Sequence, residues 1–161
     1  MTVAEYNTCV DQFADGLYRF VVKNCRNQDM AQDVVQDTFE KLWVKLSQVE
    51  YATAKSYLFT AAYHTMIDAI RKDKKHADIS EESHQHYNTS SQYTDVKKVL
   101  NMALSKLPEI QRVVITLRDY EGYSYEEIGQ ITTLTESQVK VYIYRARVFL
   151  KNYLVSLDSV I

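Results

Sequence analysis

The sequence predicts an all-α fold: two small helical bundles joined by a flexible polar linker, the second bundle carrying a helix-turn-helix. Three observations predict it. Glycine and proline are scarce, with Gly 3 and Pro 1 in 161 residues, whereas sheets and long loop systems use more of both. Apolar residues recur at helical spacing through most of the chain. From His76 to Thr94 that pattern stops, because Ala77 and Ile79 are the only aliphatic side chains among Ser, Glu, His, Gln, Asn and Thr. Such a stretch buries too little to order itself. The expected division is therefore a first domain over residues 1–76, a linker over 77–94 and a second domain over 95–161.

The elements follow in order. Tyr6, Val10, Phe13, Leu17 and Phe20 define an amphipathic first helix ending near Arg26. Asp29 with Gln32 three residues on resembles a capping box and opens a second helix. Its stripe is Ala31, Val34, Val35, Thr38, Phe39, Leu42 and Leu46. After a short loop, a third helix starts near Thr53, buries Leu58, Phe59, Ala62, Met66, Ala69 and Ile70, and runs out in Arg71-Lys72-Asp73-Lys74-Lys75. Past the linker come four short helices. Val96, Val99, Leu100, Ala103, Leu104 and Leu107 make the first. Pro108 suits the first helical position of the next, which buries Ile110, Val113, Val114 and Leu117 and ends at Gly122. Ser124 with Glu127, and Thr135 with Gln138, form two further capping boxes. They open helices carrying Ile128 and Ile131, then Val139, Ile143, Ala146, Leu150 and Leu154.

Composition narrows the class. Hydrophobic content of 46% and charged content of 25% are ordinary for a soluble globular protein. No basic start leads into an apolar run, and no stretch approaches 18 consecutive apolar residues, so the expectation is a cytoplasmic protein. Cys9 and Cys25 fall on predicted helices and read as buried thiols rather than a bridge. The net charge of −2 is unlike a general DNA coat. Its distribution is uneven: residues 1–50 hold five Lys/Arg against eight Asp/Glu, and residues 51–76 hold five against two. An acidic segment beside a basic one points to two partners of different electrostatics.

The sharpest motif is SYEEIGQITTLTESQVKVYIYRAR. A short capped helix, a three-residue turn and a longer capped helix have the arithmetic of a helix-turn-helix, whose second helix enters the major groove N-terminal end first. The solvent side of that helix shows Ser137, Lys140, Val141, Tyr144, Arg147 and Lys151. Lys140, Arg147 and Lys151 suit phosphates, which position the helix without reading sequence. Ser137, Gln138 and Val141 are placed to meet base edges or a thymine methyl. Periodicity alone also fits a basic solvated face in an ordinary bundle; the two capping boxes in register favour the motif.

Residues 107–150, with Leu107-Pro108, Arg112, Tyr125, Glu127-Ile128 and Arg145-Ala146, resemble the promoter-reading C-terminal domain of extracytoplasmic-function (ECF) sigma factors of bacterial RNA polymerase. Thr133 stands where that family usually has the turn glycine, and Tyr142 where an arginine is common. The resemblance implies that this half reads the −35 element. AQDVVQDTFEKLW resembles the helix by which such factors grip the polymerase. Asp33, Gln36, Asp37 and Glu40 lie at i, i+3, i+4 and i+7 with Trp43 beside them, a face suited to a basic protein surface. A solvated acidic face with Trp43 in the core fits the same spacing. Asp37 with Lys41 would offset part of the like-charge cost of Asp33 and Asp37. AKSYLFTAAYHTMIDAIRKDKK resembles the segment that opens DNA at the −10 element. Tyr57, His64 and Arg71 form one stripe, with Thr60, Ile67 and Lys74 alongside. Aromatic groups next to cations suit stacking on unpaired bases while holding phosphate. His64 stands where asparagine is frequent, and the loop from Ser47 to Ser56 would receive the extruded base.

The reading is thus a sigma factor with core RNA polymerase and promoter DNA as partners, an anti-sigma protein implied by the family, and no small-molecule substrate. No catalytic residue, cofactor or metal is expected: glycine-rich phosphate loops, nucleophile elbows and metalloprotease helices are missing, and His76, His84 and His86 lack a matched cysteine pair. Two rivals stand beside it. One is a stand-alone helix-turn-helix regulator binding an operator as a dimer; the other is a helical adaptor that binds only protein.

Overall fold

The computed structural model describes residues 1–79 and 95–158. The described residues contain helices, turns and no strand. Most of the expected linker, with His84 and His86, lies outside them. The chain divides into two compact units, Met1–Tyr87 and Asn88–Ile161.

The first unit is three mutually packed helices: α1 (Val3–Cys25), α2 (Gln28–Val44) and α3 (Ala54–Ile79). Thr2 and Glu5 form a reciprocal capping box at the start of α1, and Arg26 closes it in the left-handed conformation at φ 57°. Asn27, rather than Asp29, caps α2: its side chain accepts from the Met30 amide at 3.0 Å. The reason is spacing. With only Arg26 and Asn27 between the helices, the amide side chain already in place satisfies the first turn, and Asp29 is left to complement the helix dipole from within it. A single 3-10 turn, Tyr51–Thr53, feeds α3, which runs to Ile79 and so beyond the Lys75 expected from its charge run. Leu17, Phe20 and Val21 of α1, Ala31, Val34 and Leu42 of α2, and Leu58, Phe59, Ala62 and Met66 of α3 form the core. Phe20 and Phe59 meet at 5.8 Å between ring centroids. Ala69 and Ile70 lie only half-buried, and Ile67 takes the core position instead. Cys9 and Cys25 are buried and not joined in a disulfide.

The second unit holds α4 (Asp95–Lys106), α5 (Glu109–Ile115), α6 (Tyr125–Thr132) and α7 (Glu136–Asp158), with α4, α5 and α6 all packed on α7. Its core is Ala103, Leu104 and Leu107, Val113 to Ile115, Leu117, Tyr123, Ile128 and Ile131, with Val139, Ile143 and Ala146. Val96 is 68% exposed, so the core stripe of α4 begins later than its periodicity implied. Pro108 is the cap before α5, one position outside the helix. Beyond Ile115 the chain widens into a π turn, Thr116–Tyr120. The Thr116 hydroxyl donates back to the carbonyls of the preceding helical turn, a bond that competes with regular helix geometry. Gly122 then takes φ 76°, with its amide on the Arg118 carbonyl and that of Tyr123 on Leu117. This is an αL closure with a wider bond around it, and the positive φ is why glycine stands there.

Candidate docking and nucleic-acid interfaces

The two expected capping boxes form as read. Ser124 and Glu127 exchange bonds at 3.1 and 3.2 Å, and Thr135 and Gln138 at 3.1 and 2.9 Å. Between them Thr133 ends α6 in the left-handed conformation at φ 60°, doing the work usually given to glycine. The close turn is made by another residue, Gly129, against which the chain folds back.

Helix α7 presents Ser137, Gln138, Lys140, Val141, Tyr144, Arg147 and Lys151 to solvent. Val141 is 44% and Tyr144 69% exposed. Gln138 spends its carbonyl oxygen on the Thr135 amide, which leaves its NH2 for a ligand. Lys140 lies 3.4 Å from Glu136 and 5.8 Å from the Tyr125 ring. Arg147 departs from expectation. Its guanidinium grips Asp119 of the π turn, with Nη2–Oδ1 at 2.7 Å and Nε–Oδ2 at 3.4 Å, because the π turn brings a carboxylate within reach that helical spacing on α7 could not reveal. Bonding to Asp119 raises its pKa, and burial opposes that. Arg145, passed over in the sequence as a family signature, is exposed and has no ion-pair partner among the described residues. It lies at i+4 from Val141 beside Tyr144, a signal the periodicity did contain.

On α2, Asp33, Gln36, Asp37 and Glu40 are all exposed, and Trp43 is 50% exposed rather than buried. The indole meets the Tyr6 ring edge-on at 5.1 Å. Tyr6 is fixed in turn by donating its hydroxyl to the Phe39 carbonyl at 3.1 Å, and burial, then the charge of Glu40, raise its pKa. Trp43 is therefore an exposed aromatic side chain already held in place by its neighbour. Lys41 does not pair with Asp37; its ammonium donates across to Thr65 on α3 at 2.7 Å. Between the two helices an open cleft of about 620 Å³ collects Asp29, Asp33 and Asp37 with Asp68 and Asp73, tempered by Lys41, Lys72 and His76. The α3 carboxylates were not legible as part of this face, since only packing sets them opposite α2.

Along α3, His64, Arg71 and Lys74 are exposed and Tyr57 and Thr60 half-buried. Ile67 is 6% exposed and belongs to the core; the Thr60–Ile67 stripe borders the packed face, and burying an isoleucine there is worth roughly 1.5–3 kcal/mol. It is withdrawn as a DNA contact. Tyr57 and Thr60 line an open depression of about 410 Å³ with Gln48, Val49, Thr53 and Ser56, which joins the α3 stripe to the loop before it.

Comparison with known proteins gives these faces a context. Residues 9–76 match the family "Sigma-70 region 2" and residues 97–150 match "Sigma-70, region 4". RNA polymerase sigma factor SigV of Bacillus subtilis (strain 168) is 33% identical over 145 residues, covering 86% of this chain and 84% of that protein. ECF RNA polymerase sigma factor SigM of the same organism is 27% identical over 144 residues, covering 86% and 88%. Among solved structures, the sigma factor RpoE in complex with the anti-sigma factor NepR from Bartonella quintana superposes with a TM-score of 0.81 at 27% identity, covering 94% of this chain and 98% of that one. The region 2 match rules out the stand-alone regulator, which leaves the first unit without a counterpart, and the region 4 match rules out the protein-only adaptor.

Proposed function

Because the chain belongs to the extracytoplasmic-function group of the sigma-70 family, we propose that its two units divide the work of a sigma factor between them. The protein binds core RNA polymerase and promoter DNA and directs transcription initiation. In the proposed division, residues 1–76 dock on the polymerase and handle the melted −10 DNA, and residues 95–161 read the −35 element. Asp33, Gln36, Asp37, Glu40 and Trp43 form the docking face. Tyr57, Thr60, His64, Arg71 and Lys74 meet the −10 strand. Ser137, Gln138, Lys140, Val141, Tyr144, Arg145 and Lys151 meet the −35 groove. The factor carries no catalysis of its own; nucleotide chemistry stays with the polymerase, in the cytoplasm. RpoE binds the anti-sigma factor NepR, and an inhibitor of that kind is proposed here too.

The observation that supports this reading is the presence, in one chain, of an open acidic and aromatic face on α2 and an open reading face on α7. Each module alone is modest, and a net charge of −2 does not favour tight independent DNA binding. Held together on the polymerase, two weak contacts reinforce one another through effective concentration. The test is run-off transcription with purified bacterial core polymerase on genomic promoter fragments. Specific transcripts that need the protein are expected. Neither binding to core enzyme nor any dependent transcript would overturn the division.

A further inference from the structure

We infer that Asp119 is a positioning residue for promoter reading: it draws Arg147 away from the DNA phosphates and uses it as a clasp that fixes the rotation of the recognition helix. The inference rests on the −35 reading of the second unit.

Four observations carry it. Arg147 is bound through two nitrogens to both Asp119 oxygens, at 2.7 and 3.4 Å. A two-pronged grip of planar groups fixes orientation as well as distance. Tyr125, the first residue of α6, lies near the same guanidinium, beside the contact of α7 with the π turn. Tyr125 is itself packed against cations, with the Arg118 guanidinium over its ring at 4.5 Å and the Lys140 ammonium at 5.8 Å. Finally, Asp119 sits in the one π turn among the described residues. An added residue per turn swings a side chain out of helical register, and such turns recur at functional sites.

The consequence is geometric. Val139, Ile143 and Ala146 seat α7 in the core through non-directional apolar contact, and the directional grip of Arg147 adds an angular constraint to it. Since the side-chain envelope of a helix has a radius of about 5 Å, a roll of roughly 20° moves a reading side chain by about 2 Å, enough to break a hydrogen bond to a base edge. Arg147 lies about one turn beyond Tyr144 and about two beyond Val141 on the same helix. Pinning it fixes the roll where bases are read. Phosphate contact then falls to Lys140, Arg145 and Lys151.

The experiment uses the full chain in holoenzyme with core polymerase, on a promoter fragment it transcribes and on the same fragment with its −35 segment replaced. Affinities for both are measured across a salt series, with circular dichroism confirming that each variant is folded. Asp119→Asn and Arg147→Ala are each expected to reduce discrimination between the fragments by up to about fivefold, the ceiling for an exposed pair, and the double variant no more than either alone. Asp119→Glu is expected to retain most of the discrimination. The salt slope is expected to stay unchanged for Arg147→Ala and to fall by about one for Arg145→Ala. A slope that falls by about one for Arg147→Ala, with tighter binding by Asp119→Asn, would show Arg147 to be a phosphate contact that Asp119 merely competes for, and overturns the inference. Unchanged discrimination in the folded Asp119→Asn variant overturns it as well. A wild-type holoenzyme blind to the replacement of the −35 segment overturns the −35 reading, and the assignment of Asp119 with it.

Discussion

The carbonyl of Leu134 passes so close to Gly129 that a Cβ added there would stand 2.7 Å from its oxygen, while the Leu134 amide donates to the Gly129 carbonyl at 3.1 Å. This contact is the turn of the helix-turn-helix. Backbone blocks the space, so no side chain can swing aside to make room. Gly129→Ala is expected to destabilise the second unit by about 2 kcal/mol, the scale of an overpacked site. Urea unfolding followed by circular dichroism measures it, and an unchanged or raised stability, as an ordinary helical Gly→Ala change gives, would show that the turn relaxes freely.

Thr133 holds the opposite balance. A β-branched residue at φ 60° is strained, and its backbone would cost nothing in that region as glycine. Thr133→Gly is expected to raise stability by about 1 kcal/mol, after the greater chain entropy of glycine is subtracted. The midpoint of thermal unfolding reports the sign.

The Asp119–Arg147 pair contributes little to stability despite its short bond. Its side chains are 49% and 42% exposed, and exposed pairs are screened and worth less than about 1 kcal/mol. Asp119→Ala is therefore expected to leave the unfolding midpoint nearly unchanged. A loss of several kcal/mol would mark the pair as a structural bridge.

On the first unit, Trp43→Ala and Asp37→Lys are expected to weaken capture by core polymerase at least tenfold, the scale of a hot-spot residue. The fold should persist, because Asp37 is exposed and Trp43 half-exposed. Tyr6→Phe is a finer probe. It keeps the ring against Trp43 but removes the bond to the Phe39 carbonyl, so affinity should fall by less than in Trp43→Ala.

Tyr123 sets an alkaline limit. Burial foremost, then the charges of Glu127 and Glu121, raise its pKa. The folded state keeps the phenol neutral where the unfolded chain ionises it, so stability is whole below the ordinary tyrosine pKa of about 10 and declines as pH rises above it. Tyr123→Phe should flatten that decline in unfolding curves taken between about pH 9 and 11. An unaltered decline would place the titrating group elsewhere.

Local interactions are what a sequence carries in readable form, and here they went far. Helical period, two capping boxes and the arrest of the apolar pattern after α3 determined the all-α class and the helix-turn-helix. Acidic and basic stretches determined that two different surfaces exist. Each signal acts within a few residues, so neighbours in sequence suffice to express it. Tertiary packing decided the rest. Asn27 displaced Asp29 as a cap because of how α1 ends, and Ile67 turned inward because the core reaches past the expected stripe. Asp68 and Asp73 faced Asp33 and Asp37 only once α3 lay on α2. Arg147 met Asp119 across 28 residues because a π turn, which no propensity announces, swung the carboxylate toward α7. Charges separated by many residues interact through space, and that distance exists only in the folded chain.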